Sequence, residues 1–152
     1  MKKKIAILII ALSVLLLLNV AVSSRNFIKI HFIDAGEGDA ILIQSGDEYA
    51  LIDTGTLLKG YEIAEYLRKS RAGRIKYLIL THLDVDHISG AFFILPKFKV
   101  QQIFDNGRKL SEEHIHNWYN QLVRKSSGYS DLRKGERLKL GDINLDNLWP
   151  AN

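Results

Sequence analysis

The stretch Leu78-Ile79-Leu80-Thr81-His82-Leu83-Asp84-Val85-Asp86-His87 constrains this chain more than any other. An apolar run of strand character, Tyr77 to Leu80, leads into four side chains able to ligate a metal within six positions: His82, Asp84, Asp86 and His87. Two carboxylates two residues apart, flanked by imidazoles, repel one another and lose hydration in a cleft, so their crowding is unfavourable unless a cation neutralises it. A bound metal supplies that cation, and the loop is predicted to be a metal site at the end of a strand. The plain alternative is a polar loop that happens to hold two histidines.

Around that loop the chain has the balance of a globular domain: 152 residues, 47% hydrophobic and 25% charged, enough for one domain. A formal charge of +4 invites a nucleic-acid reading, but Lys2, Lys3 and Lys4 supply three of those charges. Without residues 1 to 23, the 21 basic residues fall to 18 against 17 acidic ones, so global charge does not argue for a polyanionic partner. The absence of cysteine excludes disulfides, thiolate zinc sites, thiol catalysis and a lipoprotein anchor.

Residues 1–23 are expected to lie outside the fold. Lys2 to Lys4 precede eighteen residues, Ile5 to Val22, whose only polar members are Ser13 and Asn19. Small side chains at Ala21 and Ser23 suit cleavage after Ser23, whereas the apolar length is just sufficient to span a bilayer. The segment is therefore read as a signal peptide or, uncleaved, as a membrane anchor through residues 5–22, with a buried helix of the fold as the remaining alternative. In the first two cases residues 24–152 are secreted or held outside the membrane, with the lysines in the cytoplasm.

Residues 27–149 alternate between two periods. Phe27 to Ile33, Ala40 to Gln44 and Tyr49 to Ile52 read as strands, separated by the turns Asp34 to Asp39 and Ser45 to Glu48. From Tyr61 the period becomes helical, with Ile63, Ala64, Tyr66 and Leu67 on one face and Gly73 as the stop. Ile75 to Leu80 is the strand that carries the ligand loop. His87 to Leu95 is predicted as a helix burying Ile88, Ala91, Phe92 and Leu95, closed by Pro96. Lys99 to Phe104 reads as a strand. Ser111 is expected to cap a helix with Ile115, Trp118, Tyr119 and Leu122 inside, and Arg137 to Leu140 with Ile143 to Trp149 a terminal hairpin. The class is α/β.

Two acidic turns, Asp34 to Asp39 and Asp53-Thr54-Gly55, end predicted strands as the ligand loop does, and in such sheets ligands gather at those ends. Asp34, Asp39 and Asp53 are thus candidates to orient His82 or His87 through a ring N–H, against the simpler role of turn formers beside glycine. Arg68, Lys69, Arg71 and Arg74 cluster where the first helix ends. They are candidates for contact with a phosphate backbone, although a solvated helix end explains them as readily.

Asp34-Ala35-Gly36-Glu37-Gly38-Asp39-Ala40, Leu51-Ile52-Asp53-Thr54-Gly55 and Thr81-His82-x-Asp84-x-Asp86-His87-x-x-Gly90 resemble, in order and spacing, the motifs of the metallo-β-lactamase superfamily. The branch they resemble most is the extracellular hydrolase domain of the DNA-uptake channel protein ComEC and its free-standing relatives. Asp84 stands where the wider superfamily has the middle histidine, as it does in that branch; Glu37 and Ser89 replace a more usual Gln and Gly.

The resemblance implies an αββα sandwich, reached here only in its first half, and a hydrolase with two divalent metal ions. His82 and Asp84 would hold the first ion, Asp86 and His87 the second, with Asp86 the candidate catalytic residue and a hydroxide between the ions as nucleophile. Asp84 in place of histidine hardens the first site, so manganese rivals zinc as the metal. The expected substrate class is a phosphodiester, DNA by resemblance alone. The superfamily's second half supplies further ligands, whereas after His87 this chain offers only His114 and His116, read as surface residues of a helix. A missing C-terminal half or a partner chain is therefore expected. The alternatives are a non-catalytic remnant or partner-dependent subunit, and a small-molecule hydrolase of lactonase type.

Overall fold

The computed structural model describes residues 27–108, 117–124 and 128–148, together with helical positions between residues 3 and 14. Among residues 27–148 the described elements follow in order. β1 (Ile28–Phe32), β2 (Ile41–Ser45) and β3 (Glu48–Ile52) form an antiparallel meander; α1 (Leu57–Lys69) then crosses to β4 (Arg74–Ile79). Two short helices, α2 (Val85–Ile88) and α3 (Ala91–Ile94), lead to β5 (Lys99–Asp105); a π-helical turn (Asn120–Arg124) precedes β6 (Tyr129–Asp131). β7 (Arg137–Leu140) and β8 (Ile143–Asp146) pair as a separate antiparallel hairpin.

The first six strands make one sheet in sequence order, with β3, β4, β5 and β6 parallel. β1 runs against β2 and β2 against β3, so β1 points the same way as β3. The C-terminal ends of β1, β3, β4 and β5 consequently share one edge. The two acidic turns and the ligand loop meet there.

Alternation along the strands gives the sheet two apolar faces. Leu42, Leu51, Leu78 and Ile103 face the helices, where Ile63, Ala64 and Leu67 of α1, Ile88, Ile94, Tyr119 and Val123 close the core. Each fully buried Leu or Ile here contributes about 1.5–3 kcal/mol of burial free energy. Ile43, Ala50, Tyr77 and Phe104 face the other way, under Leu138, Leu140, Ile143 and Leu145 of the hairpin. The class agrees with the α/β reading and with an αββα architecture of partial length; β6, which adds to the edge of the sheet beside β5, was not among the expected strands.

Some local expectations are corrected. α1 starts at Leu57, because the Thr56 hydroxyl accepts from the Lys59 N–H as an N-cap, and it ends before Arg71, which takes the left-handed φ of 60°. Gly73 is not the stop. Tyr66 turns out of the buried stripe and hydrogen-bonds His31 Nδ1 through its hydroxyl at 2.9 Å. The single helix expected over His87 to Leu95 is broken at Ser89–Gly90. A Cβ at Gly90 would lie 1.8 Å from the Thr54 carbonyl oxygen, so the chain passes too close to the Asp53 turn for any other residue. The break changes the phase: Phe92 is 51% exposed, while Ile94 is buried and Phe93 packs on the core.

The expected cap at Ser111, with Ile115, His114 and His116, lies outside the described residues, as do Trp149 and residues 15–26. Among the described residues no helix is long and apolar enough to cross a membrane.

Candidate metal centre

Hydrophobic anchors and polar side chains alternate through the ligand loop. Leu80, Leu83 and Ile88 are buried, which pins the backbone and leaves His82, Asp84, Asp86 and His87 pointing away from the core. The Leu80 N–H continues the ladder to the Phe104 carbonyl at 2.8 Å. Asp84 has the extended conformation of an N-cap, and α2 begins at once, folding Asp86 and His87 back over His82. The His82 and His87 ring centroids lie 3.8 Å apart. His82 Nε2 is 3.6 Å from Asp84 Oδ2, and His87 Nε2 is 3.5 Å from Asp86 Oδ2.

The loop after β3 holds this arrangement from behind. Thr54 is fully buried; its N–H and its hydroxyl both donate to the His87 carbonyl at 2.8 Å, and the hydroxyl accepts from Ala91 N–H at 3.1 Å. Asp53, 1% exposed and with a left-handed φ of 54°, accepts from Thr81 N–H on Oδ1 at 2.8 Å. Its Oδ2 takes the Thr81 hydroxyl at 2.6 Å and His87 Nδ1 at 3.0 Å. From the other side the β1–β2 turn closes in: a Cβ on Gly38 would meet the Asp86 carbonyl oxygen at 1.9 Å, so glycine is needed for this approach.

Asp53 lies with His82 and His87 in a group whose ligand atoms are within 4.8 Å of one another. By distance alone it would pass as a ligand. Both of its oxygens already accept hydrogen bonds, however, and the contact from His87 Nδ1 suits Asp53 to orient that ring.

The donors that remain are His82 Nε2, His87 Nε2 and the carboxylates of Asp84 and Asp86. Asp84 and Asp86 keep 76% and 41% of their side chains exposed, so ligation would not require their prior extraction from a packed core. Two imidazoles and two carboxylates offer the nitrogen and hard oxygen donors that a divalent zinc or manganese ion takes, and the residues present fit the group.

A sequence model of the metallo-beta-lactamase superfamily matches residues 33–146. The chain belongs to that superfamily. No curated protein sequence matches it. Among solved structures it is similar to the metallo-β-lactamase SMB-1 bound to 2-mercaptoethanesulfonate, at 19% identity and a TM-score of 0.59, over 77% of this chain and 49% of that one. The subclass B3 enzyme BJP-1 of Bradyrhizobium japonicum gives 19% identity and a TM-score of 0.56, over 81% and 52%. Rubredoxin oxygen:oxidoreductase from Desulfovibrio gigas gives 20% and 0.54, over 70% and 25%. At these identities the likeness shows the fold, and it spans about half the length of the lactamases matched.

Metallo-β-lactamase superfamily members are metal-dependent hydrolases, and the cluster at the end of β4 suits that chemistry. One further sequence candidate is engaged elsewhere. Asp34 does not reach either histidine: its carboxylate accepts from Lys59 Nζ at 2.8 Å and from Gly36 N–H at 3.2 Å, and the lysine holds it below the ordinary carboxylate range. Asp39 is exposed in the β1–β2 turn.

Arg68, Lys69, Arg71 and Arg74 lie at the opposite edge of the sheet, since Arg74 begins β4 and the ligand loop follows its end, roughly 17 Å of strand away. Arg68 is paired with Glu65 at 2.8 Å. This cluster does not line the metal loop.

Sequence reasoning missed Thr54, Thr81 and Asn106 as parts of the site. Asn106 Nδ2 donates to the Thr81 carbonyl at 3.2 Å, tying the loop after β5 to the ligand loop. Both threonines stand next to residues already singled out, Asp53 and His82, and that adjacency was the available signal. A cavity of about 420 Å³ opens beside Thr81 between sheet and hairpin, with Ile79, Leu80 and Leu132 in its apolar lining and Thr81, Asp105 and Asn106 among its polar groups. It touches the ligand loop only at its base.

Proposed function

We propose that this chain is the amino-terminal half of an exported, metal-dependent phosphodiesterase of the metallo-β-lactamase fold, in the branch resembling the ComEC hydrolase domain, with DNA as the substrate. The observation that carries this reading is the donor set. Asp84 Oδ2 lies 3.6 Å from His82 Nε2, so the first ion would be held partly by hard oxygen, which suits ions that also take phosphate oxygens. Divalent ions bound here would lower the pKa of a water and stabilise charge developing on the phosphate. The chain's own residues do the rest. His82 and His87 present nitrogen lone pairs at the loop, Asp53 fixes His87, and Asp84 and Asp86 hold the charge balance that makes a cation favourable. Zinc and manganese are the candidate ions. The apolar segment through residues 5–22 would export the domain or anchor it to the outer side of the membrane.

The test is turnover by the full chain in detergent, loaded with zinc or manganese, on bis(p-nitrophenyl) phosphate and DNA, beside a chromogenic lactone and a β-lactam. Cleavage of the phosphodiesters, with metal content and activity both lost in Asp86→Ala, is the expected result. Selective cleavage of lactone or lactam overturns the substrate class.

A second reading, a subunit that needs a partner, is favoured by β1. Ile28, Ile30 and Phe32 lie on one face of this edge strand and are 55%, 56% and 81% exposed, an apolar surface that another polypeptide layer would cover. Metal binding without turnover on any of the substrates would favour it.

A further inference from the structure

Asp53 can orient only one histidine directly, since His87 Nδ1 occupies Oδ2 together with the Thr81 hydroxyl. That hydroxyl has a second contact. Thr81 Oγ1 lies 2.9 Å from His82 Nδ1 and 2.6 Å from Asp53 Oδ2. A hydroxyl carries one hydrogen and can accept through its lone pairs, whereas a carboxylate only accepts. The Thr81 hydrogen therefore goes to Asp53, and the oxygen is left to accept from His82. That assignment puts the His82 hydrogen on Nδ1 and leaves the Nε2 lone pair free on the side of Asp84, 3.6 Å away.

We propose that Thr81 is a positioning residue through which one buried carboxylate sets the tautomer of both histidines, His87 directly and His82 by way of the Thr81 hydroxyl. The inference rests on the metal-site reading above and deepens it. Asp53 is 34 residues from His87 and 28 from Thr81 in sequence, and the parallel register of β3 on β4, Ile52 opposite Ile79, brings them together. The Thr81 N–H to Asp53 Oδ1 bond fixes the threonine backbone at the same time, so the hydroxyl is held where both partners can reach it. Without it, His82 would be free to place its hydrogen on Nε2, which would then need to be moved before the nitrogen could serve a cation.

Two measurements on the full chain in detergent test this. Long-range ¹⁵N–¹H correlation spectra of the metal-free protein, recorded above the ordinary imidazole range, report tautomers without any substitution; both histidines are expected to be protonated on Nδ1. A His82 protonated on Nε2 overturns the proposal.

Titration calorimetry with zinc or manganese then compares Thr81→Val, which keeps shape and backbone N–H but lacks the hydroxyl, with Thr81→Ser. The valine variant is expected to bind about 10- to 100-fold more weakly, the range found when groups supporting metal ligands are removed. The serine variant should return to within about threefold, since it restores the same donor and acceptor. Equal affinity in wild type and Thr81→Val overturns the relay while leaving the metal site intact; no metal binding by wild type overturns the metal-site reading instead. The tautomer spectrum of the wild type decides the relay even if the valine variant fails to fold.

Discussion

The two faces of the six-stranded sheet are finished differently. On the helix side, Leu42, Leu51, Leu78 and Ile63 are fully buried under α1 and the short helices after the ligand loop. On the other side a two-stranded hairpin covers the centre, a cavity of about 420 Å³ remains at its margin, and Ile28, Ile30 and Phe32 of β1 stay open to solvent. The ligand loop hangs from the closed side: its anchors Leu80, Leu83 and Ile88 all belong to the helix-side core. The geometry of the candidate metal centre is thus set by the helix-side layer.

The comparison breaks most visibly at its closed side. Leu78 sits between Leu51 and Ile103 in the middle of the helix face, and Leu78→Ala is expected to cost about 3 kcal/mol of stability by denaturant unfolding, through lost burial and the cavity left behind. A loss under about 1 kcal/mol would mean that the helix layer is not the stabilising one.

Gly90→Ala tests the link from that core to the site. The added methyl must push back the Thr54 carbonyl, so about 2 kcal/mol of stability should be lost together with a measurable fall in metal affinity. Unchanged affinity would separate the Asp53 turn from the ligands.

The hairpin side gives smaller effects. Glu48 accepts from Lys76 Nζ at 2.7 Å and from Gly141 N–H at 2.6 Å, clasping the β7–β8 turn to the sheet. The lysine bond, and next the Gly141 N–H, hold its carboxyl below the ordinary carboxylate range. A depressed folded-state pKa adds stability that is present above the unfolded value and is lost as pH falls through the folded one. Glu48 is 41% exposed, so solvent screens the pair, and the contribution should be well under 1 kcal/mol. Hydrogen exchange of the β7–β8 amides should accelerate below pH about 4 in wild type and be insensitive there in Glu48→Gln. An equal acid response in both proteins would remove Glu48 as the clasp.

Smallest of all, Phe32→Ser on the open face should change stability by no more than about 0.5 kcal/mol while reducing self-association in light scattering. A large loss of stability would show that β1 is covered after all.

Much of this was legible in the sequence because it is local. The run Tyr77 to Leu80 reads as a strand from its apolar residues, and His82, Asp84, Asp86 and His87 read as ligands from their crowding. Asp53-Thr54-Gly55 reads as a turn. The helix break at Ser89–Gly90 was not legible, because its cause is a carbonyl contributed by Thr54, 36 positions before Gly90. Periodicity sees only neighbours along the chain, and it therefore put Phe92 inside and continued the helix. Asp34 and Asp53 looked equivalent for the same reason: each is an acid at a strand end. Lys59 captures Asp34, while the strand register delivers Asp53 beneath the histidines.

The sequence by itself determined the α/β class, the superfamily motifs and the identity of the four candidate ligands. These depend on spacing within single segments, where hydrogen bonding and hydrophobic period act over a few residues. Only the tertiary structure decided which carboxylate supports the ligands, that Thr54 and Thr81 join them, and that Arg68 to Arg74 lie at the far edge. Those relations depend on the parallel register that sets Ile52 beside Ile79. Side-chain contacts across 28 to 34 residues exist only once the sheet has brought its strand ends to a common edge.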